Sequence, residues 1–548
     1  MKKVMLSLGL AMTMLAALLL TTHLARASVE APLTPAGGPD TPIGLRQAIT
    51  QTMVFEANLS GAREVPPVDT PASGRAVLAV SATATDTLYY RVMVEDITNI
   101  TAAHIHKGAV GVNGPIIFTL FDGSGSFDPN NPISGTRTLT PTQVTDLLNG
   151  DYYVNVHTTA HGGGEVRGQV RALNPPTAFN ALLSGAGENP PVTTNAVGVS
   201  RLTLSNDLNT LSYTVAVSNI TNVITAHIHF GSTAQNGPIV FPLGSAPTPT
   251  SPITGAVTLS TAKHLVDLLT NFNYVNVHTM DNPGGEIRGQ IGGARTFQAN
   301  LSGANEVPVV TTAATGRSVL GLSADTTTLY YRLFVGNITN ITAAHIHRGA
   351  VGQNGPIIFT LFGGVGNFGP TNPISGTVTS TLTSAQIFDL IGNNYYINVH
   401  TTANPGGEIR GQVNAFSPAT SFEVPLSGAN EVPPVTTNAR GEANLTLTDL
   451  NILHYTVAVT NITNVTAAHI HKAPAGVNGP IIFTLFDGGG TFDPSNPLGD
   501  GVLLNAENLV DLLTDYYYIN VHTTANPGGE IRGQITGPRV HMPVILKN

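Results

Sequence analysis

The chain has 548 residues, no cysteine, 10% charged residues and a formal net charge of −9. That length exceeds what one hydrophobic core serves, so several domains are expected. The lack of cysteine excludes disulfides, thiolate metal sites and cysteine nucleophiles, and the lack of any Lys/Arg-rich stretch argues against nucleic-acid binding.

At the N-terminus Lys2 and Lys3 precede the apolar run Val4–Leu20, and Ala25-Arg26-Ala27 has the small-residue pattern of a cleavage site. This predicts an export signal over residues 1–27, with an uncleaved membrane anchor as the alternative. After cleavage no other apolar run is long enough to span a membrane. Residues 28–52, rich in Pro, Ala, Thr and Gly, read as a flexible leader.

One module then follows four times, over residues 53–172, 178–293, 296–414 and 421–536, before a short tail at 537–548. Tracts of β-branched residues broken by Gly, Pro, Asn and Asp mark it as all-β. It opens with an alternating strand, a Ser-Gly turn and an acid-Pro corner that carries Glu64, Glu188, Glu306 or Glu431. A Gly-led strand and an alternating strand (LYYRVMV in the first copy) come next. Asn-Ile-Thr then leads into AHIH, read as a strand, and an Asn-Gly-Pro turn in which Asn-Gly supplies positive φ. The run PIIFTLF reads as a buried strand. Thr140-Pro141 looks like a helix N-cap followed by Pro at the first helical position, with Val144, Leu147 and Leu148 at helical spacing. NVHT and GGE-x-RGQ close the unit. The expectation is a Greek-key β-sandwich of about seven or eight strands with one short helix. Linkers of only a few residues predict stiff beads in series, a semi-rigid rod.

Residues i and i+2 of a strand share a face, so the two histidines of each AHIH project side by side, and the NVHT histidine comes from another strand. The resulting triads are His104, His106 and His157; His227, His229 and His278; His345, His347 and His400; and His469, His471 and His522. Three imidazoles of this kind suit one zinc or copper ion with a position left open. The bland alternative is a buried cluster of neutral histidines that fixes how strands meet. Of the 17 histidines, those outside the triads (His23, His161, His264, His454 and His541) occur once each and read as surface or incidental. Asn155, Asn276, Asn398 and Asn520 share a face with the NVHT histidines. In the closing strand Glu165/Arg167, Glu286/Arg288, Glu408/Arg410 and Glu530/Arg532 share faces too. These suit edge ion pairs worth at most about 1 kcal/mol, or else an arginine that draws an anion to an open metal position.

Taken together, LSGA–EVPP at Leu59–Pro67, TAAHIH at Thr101–His106, NGPI at Asn113–Ile116 and the NVHT and GE-x-RGQ tails resemble the CHRD (chordin) domain, in four tandem copies. Unit two varies the pattern with ENPP and ITAHIH. The resemblance implies an extracellular setting, while the cysteine-rich modules that accompany these domains in chordin are missing here. The order H-x-H, then a strand ending in His, then a Gly-Gly turn and an Arg strand is also distantly similar to copper–zinc superoxide dismutase. That likeness implies His104, His106 and His157 as copper ligands and Arg167 as a substrate guide, although no His-rich loop for a bridging ligand and a zinc site is present. The leading expectation is a non-enzymatic, secreted or cell-surface binding array with an unknown extracellular or envelope partner. A copper-dependent redox protein and a purely structural envelope component are the rivals.

Overall fold

Strand alternation writes most of this fold. The computed structural model describes residues 52–537 except 82–86, 234, 245–250, 370–371, 379–380, 417–420 and 491–497. The expected export signal, nearly all of the leader and the tail from 538 lie outside the described residues, as do His23 and His541. In the first repeat the strands are β1 (Met53–Ser60), β2 (Ser73–Val80), β3 (Thr87–Glu95), β4 (Ile100–Lys107), β5 (Ile116–Gly125), β6 (Ile133–Thr138), β7 (Tyr152–Thr158) and β8 (Val166–Gln169). They pair antiparallel in the order β5-β4-β7-β8-β1-β2-β3-β6, and the other three repeats follow the same order. A two-residue strand, β9 (Arg171–Ala172), adds to β1. The β8–β1 join rests on one residue pair, Ser60 with Arg167. The path therefore turns there into two layers, and Phe55, Ala57, Leu78, Val92, Ile105, Val154 and Val156 from both layers form one core.

One helix per repeat was expected and forms: α1 (Pro141–Leu148), α2 (Ala262–Leu269), α3 (Ser384–Ile391) and α4 (Ala506–Leu512). Thr140 caps α1 in a reciprocal capping box with Gln143, and Pro141 occupies the first helical position. Two local expectations need correction. PIIFTLF is not buried: β5 ends the strand path, has β4 as its ladder neighbour, and leaves Ile116 half exposed while Leu120 is buried. The glycine of Asn-Gly-Pro does not supply positive φ. A Cβ at Gly114 would instead sit 1.7 Å from the Lys107 carbonyl oxygen, so close backbone approach requires glycine there.

Nor are the repeats beads on a rod. Helix α2 packs on β2 and β3 of repeat one, where Arg91 pairs with Asp267 at 2.7 Å and lies over Phe272. Helix α4 packs on repeat three in the same way, with Arg332 and Asp511 at 2.6 Å and Tyr516 under the guanidinium. Helix α3 meets repeat two through Ser384 and Arg201. The fourth repeat also returns to the first two: Arg63 donates to Tyr455 O at 3.3 Å, and Asn271 donates to Asp449 at 2.6 Å. Buried His454 lies at this contact, close to Arg63 and Arg75, so it is an interface residue and not an incidental surface one. Val266, Phe388 and Val510 hold the same place in the three helices that dock on a neighbouring repeat. In α1 that place is exposed and carries Thr145, the polar outer face expected of the first unit in a stack.

Candidate metal centre

Strands β4, β7 and β8 are neighbours in the sheet, and their register sets His104 opposite Asn155 and Asn155 opposite Arg167. Odd and even positions then divide the work. Ala103, Ile105, Tyr152, Val154 and Val156 face the core, while His104, His106, Tyr153, Asn155, His157 and Arg167 share the opposite face. That second face is roofed by the loop 108–114, the acid-Pro corner and the Gly-Gly turn, so most of its polar groups are also buried.

In every repeat one nitrogen from each of the three histidines lies within 4.8 Å of the other two. Backbone carbonyls select which nitrogen that is. His106 Nδ1 faces Gly114 O at 2.9 Å and His157 Nδ1 faces Gly162 O at 3.2 Å. A carbonyl only accepts, so each Nδ1 carries the proton and each Nε2 presents a lone pair inward. Among the described residues both Nε2 atoms are buried without a hydrogen-bond partner, as is His104 Nδ1. The counterparts repeat the pattern, with His229, His347 and His471 donating at 2.9 Å and His278, His400 and His522 at 3.0 Å. The first histidine offers Nδ1 to the third at 3.2 Å in repeat two and 3.1 Å in repeats three and four. Metal–nitrogen bonds of about 2.0–2.1 Å in a tetrahedral site put nitrogens about 3.3 Å apart, so the donor set fits one ion per repeat.

Burial, and then neighbouring imidazoles, push His157, His227, His345 and His469 down to about 4. These rings are therefore neutral, the form a metal binds, well below the 6.5 of a free imidazole.

The residues around the triad hold it in place. Tyr153 stacks on His106 at 4.9 Å, and Arg167 lies over the same tyrosine, 3.4 Å from its ring centre. The guanidinium donates to Asn113 Oδ1 at 2.9 Å and to the carbonyls of Val112 at 2.8 Å and Ala109 at 3.2 Å. Asn113 Nδ2 in turn donates to Val65 O. Arg288, Arg410 and Arg532 make the same clamp on Asn236, Asn354 and Asn478. The sequence-level pairing of Glu165 with Arg167 is replaced by separate partners: Glu165 accepts from Thr70 at 2.7 Å and Thr158 at 2.6 Å. Glu286, Glu408 and Glu530 do likewise.

Asn155 meets Glu64, its Nδ2 donating to Glu64 Oε2 at 3.4 Å; the pairs Asn276–Glu188, Asn398–Glu306 and Asn520–Glu431 match it. Burial raises all four glutamates to about 7, against the pull of the arginine and the asparagine. A side chain on Gly164 would collide with this pair, its Cβ 2.4 Å from Asn155 Oδ1, which accounts for glycine in the turn at φ +129°. Sequence reasoning assigned no role to Glu64 or Tyr153. Their signal was present, because both recur at fixed offsets in all four units. Of the single-copy histidines, His264 packs edge-on against Phe241.

The CHRD domain family model matches residues 55–170, 179–291, 297–413 and 422–535. Chordin of Danio rerio is 30% identical over 173 residues, 28% of this chain and 17% of that protein. Chordin of Xenopus laevis is 27% identical over 263 residues, 44% of this chain and 27% of that protein. The chain thus spans under a third of the length of either relative. With motifs, sheet order and family model in agreement over nearly all of residues 55–535, the chain belongs to the CHRD domain family and carries four tandem copies of its domain.

Proposed function

We propose that this protein is an exported CHRD array that binds extracellular or envelope partners, each repeat holding one transition-metal ion, copper or zinc, on three histidines. One observation carries the metal reading: three inward-facing ring nitrogens converge in every repeat, two of them forced to be lone pairs by carbonyl acceptors, and the second histidine's Nε2 is buried with no hydrogen-bond partner among the described residues. A structural histidine cluster would place donors against acceptors. Even where the first ring donates to the third, the second ring's Nε2 keeps an unmet lone pair, which a cation shared by all three nitrogens satisfies. When bound, the ion would act as a Lewis acid with at least one open coordination position. The protein's own part is to fix the ring tautomers, through the carbonyls of Gly114 and Gly162, and to buttress His106 with the Tyr153–Arg167 stack.

A copper-dependent, superoxide-dismutase-like activity would use the same nitrogens. Its anion guide would be Arg167, whose donors are already committed to the 109–113 loop beneath Tyr153. This favours binding over redox turnover. Repetition adds multivalent attachment, since linked sites raise avidity without new contacts.

The test is zinc and copper titration of the metal-free full chain, beside a variant with His345, His347 and His400 all changed to Ala. Four equivalents for the wild type and three for the variant are expected, with binding held to about pH 5 and lost toward pH 4 as His157, His227, His345 and His469 protonate. A folded wild type that takes up neither metal would overturn the reading. Superoxide dismutation by the copper-loaded chain would instead establish the redox alternative.

A further inference from the structure

The four sites differ on the outer edge of the first histidine, at Nε2. In repeat two Thr225 stands one position before Ala226 of the AHIH strand. Its hydroxyl donates to Gly244 O at 2.9 Å and lies 3.1 Å from His227 Nε2. A hydroxyl has one proton, so toward the ring Thr225 accepts, and His227 carries its proton on Nε2. Its Nδ1 is then a lone pair, 3.2 Å from His278 Nε2, itself a lone pair because His278 Nδ1 donates to Pro283 O. Two lone pairs in contact repel until a cation lies between them.

Elsewhere the Thr225 position is alanine: Ala102, Ala343 and Ala467. In repeat three the residue across from Ala343 is Gly363, which offers no side-chain acceptor. His345 is therefore free to place its proton on Nδ1 and donate to His400 Nε2 at 3.1 Å, and a metal must first displace that hydrogen bond. In repeats one and four the residues across from Ala102 and Ala467 are Asp122 and Asp487. Each carboxylate sits on the strand beside the first histidine's own, next to the alanine that replaces threonine.

Building on the metal reading above, we propose that this outer acceptor grades the four sites, with Thr225 making repeat two the tightest, Asp122 and Asp487 supporting repeats one and four, and repeat three the weakest. Thr225 is a positioning residue, acting through His227. Outer partners of ligating histidines are worth about 10–100-fold in metal affinity, so that is the spread expected between repeats two and three.

The experiment is competitive zinc titration of the full chain, with nitrogen NMR of the metal-free protein labelled on histidine. The wild type should show one tight equivalent, and loss of that equivalent in the His278→Ala chain assigns it to repeat two. Thr225→Val should weaken this equivalent about 10–100-fold, while Thr225→Ser keeps it. Gly363→Asp, at a position where a Cβ meets nothing closer than 3.9 Å, should tighten the repeat-three equivalent. In the metal-free spectrum His227 Nδ1 should be unprotonated in the wild type and the Ser variant and change in the Val variant. Four equal sites with a silent Thr225→Val overturn the grading and leave the metal reading standing. No zinc uptake at all overturns the metal reading and the grading with it.

Discussion

The two faces of strands β4 and β7 come from the same residues in alternation, yet they are built on different rules. Ile105, Val154 and Val156 fill the core, where volume decides stability. His106, Tyr153, Asn155 and His157 lie under a roof of loops, where each polar atom needs a named partner. The core face tolerates exchange among aliphatics, as Val154, Val275, Ile397 and Ile519 do at one position. The site face keeps one residue type at each of its histidine, asparagine, tyrosine and arginine positions in all four repeats. Burial alone therefore does not distinguish packing from chemistry; the direction of the hydrogen bonds does. The comparison breaks hardest on the core side. Ile105→Ala in the full chain should lower the stability of repeat one by about 2–5 kcal/mol, read as loss of its unfolding transition at the wild-type temperature. His106→Ala in metal-free protein should cost about 1–2 kcal/mol, because one carbonyl loses its donor and one stack is lost. The same change should abolish metal uptake by that repeat. Equal stability losses for both substitutions would contradict the division of labour.

A smaller effect sharpens it. Arg410 reaches three oxygens of one loop, Asn354 Oδ1 at 3.0 Å, Gln353 O at 2.7 Å and Ala350 O at 3.2 Å, while lying flat on Tyr396. Lysine keeps the charge but not the planar fork. Arg410→Lys should cost about 1–3 kcal/mol and loosen Tyr396 beneath His347. A weaker zinc equivalent in repeat three is the accompanying readout; unchanged affinity would show that the stack does not support the triad.

Much of this was legible in the sequence, because its period was. Strand alternation placed His104 and His106 on one face, and fourfold recurrence marked the triads, the family motifs and the capped helix. What escaped depends on register and on contacts between repeats. PIIFTLF looks buried by composition, but sheet order makes it an edge. Glu165 and Arg167 share a strand face, yet side-chain reach sends one to Thr70 and Thr158 and the other to the 109–113 loop. The rod failed for a similar reason. Val266, Phe388 and Val510 are apolar on the side of the helix away from their own core, and only a docked neighbour explains them. Thr145 in α1 was the counter-signal.

The smallest effect concerns the glutamates that touch asparagine and not histidine. Glu64, Glu188, Glu306 and Glu431 are raised to about 7 by burial, against about 4.3 in an unfolded chain. A carboxyl with a higher pKa when folded binds its proton more tightly in the folded state. Its contribution is therefore complete below about pH 4 and lost as pH rises through 7. His157 and His227, with folded values depressed to about 4, run the other way over an overlapping window, their stability present above about pH 6.5 and lost as pH falls toward 4. The metal-free full chain should accordingly be most heat-stable near pH 6, and its midpoint should fall by on the order of 5 °C between pH 6 and 8. Changing all four glutamates to Gln removes the titrating group while keeping an amide that can face Asn155. The alkaline limb should then flatten and the acid limb remain, so that the variant is the more stable protein at pH 8. An alkaline limb of the same slope in the variant would assign the loss to other groups and return the Glu–Asn pairs to ordinary ionised carboxylates.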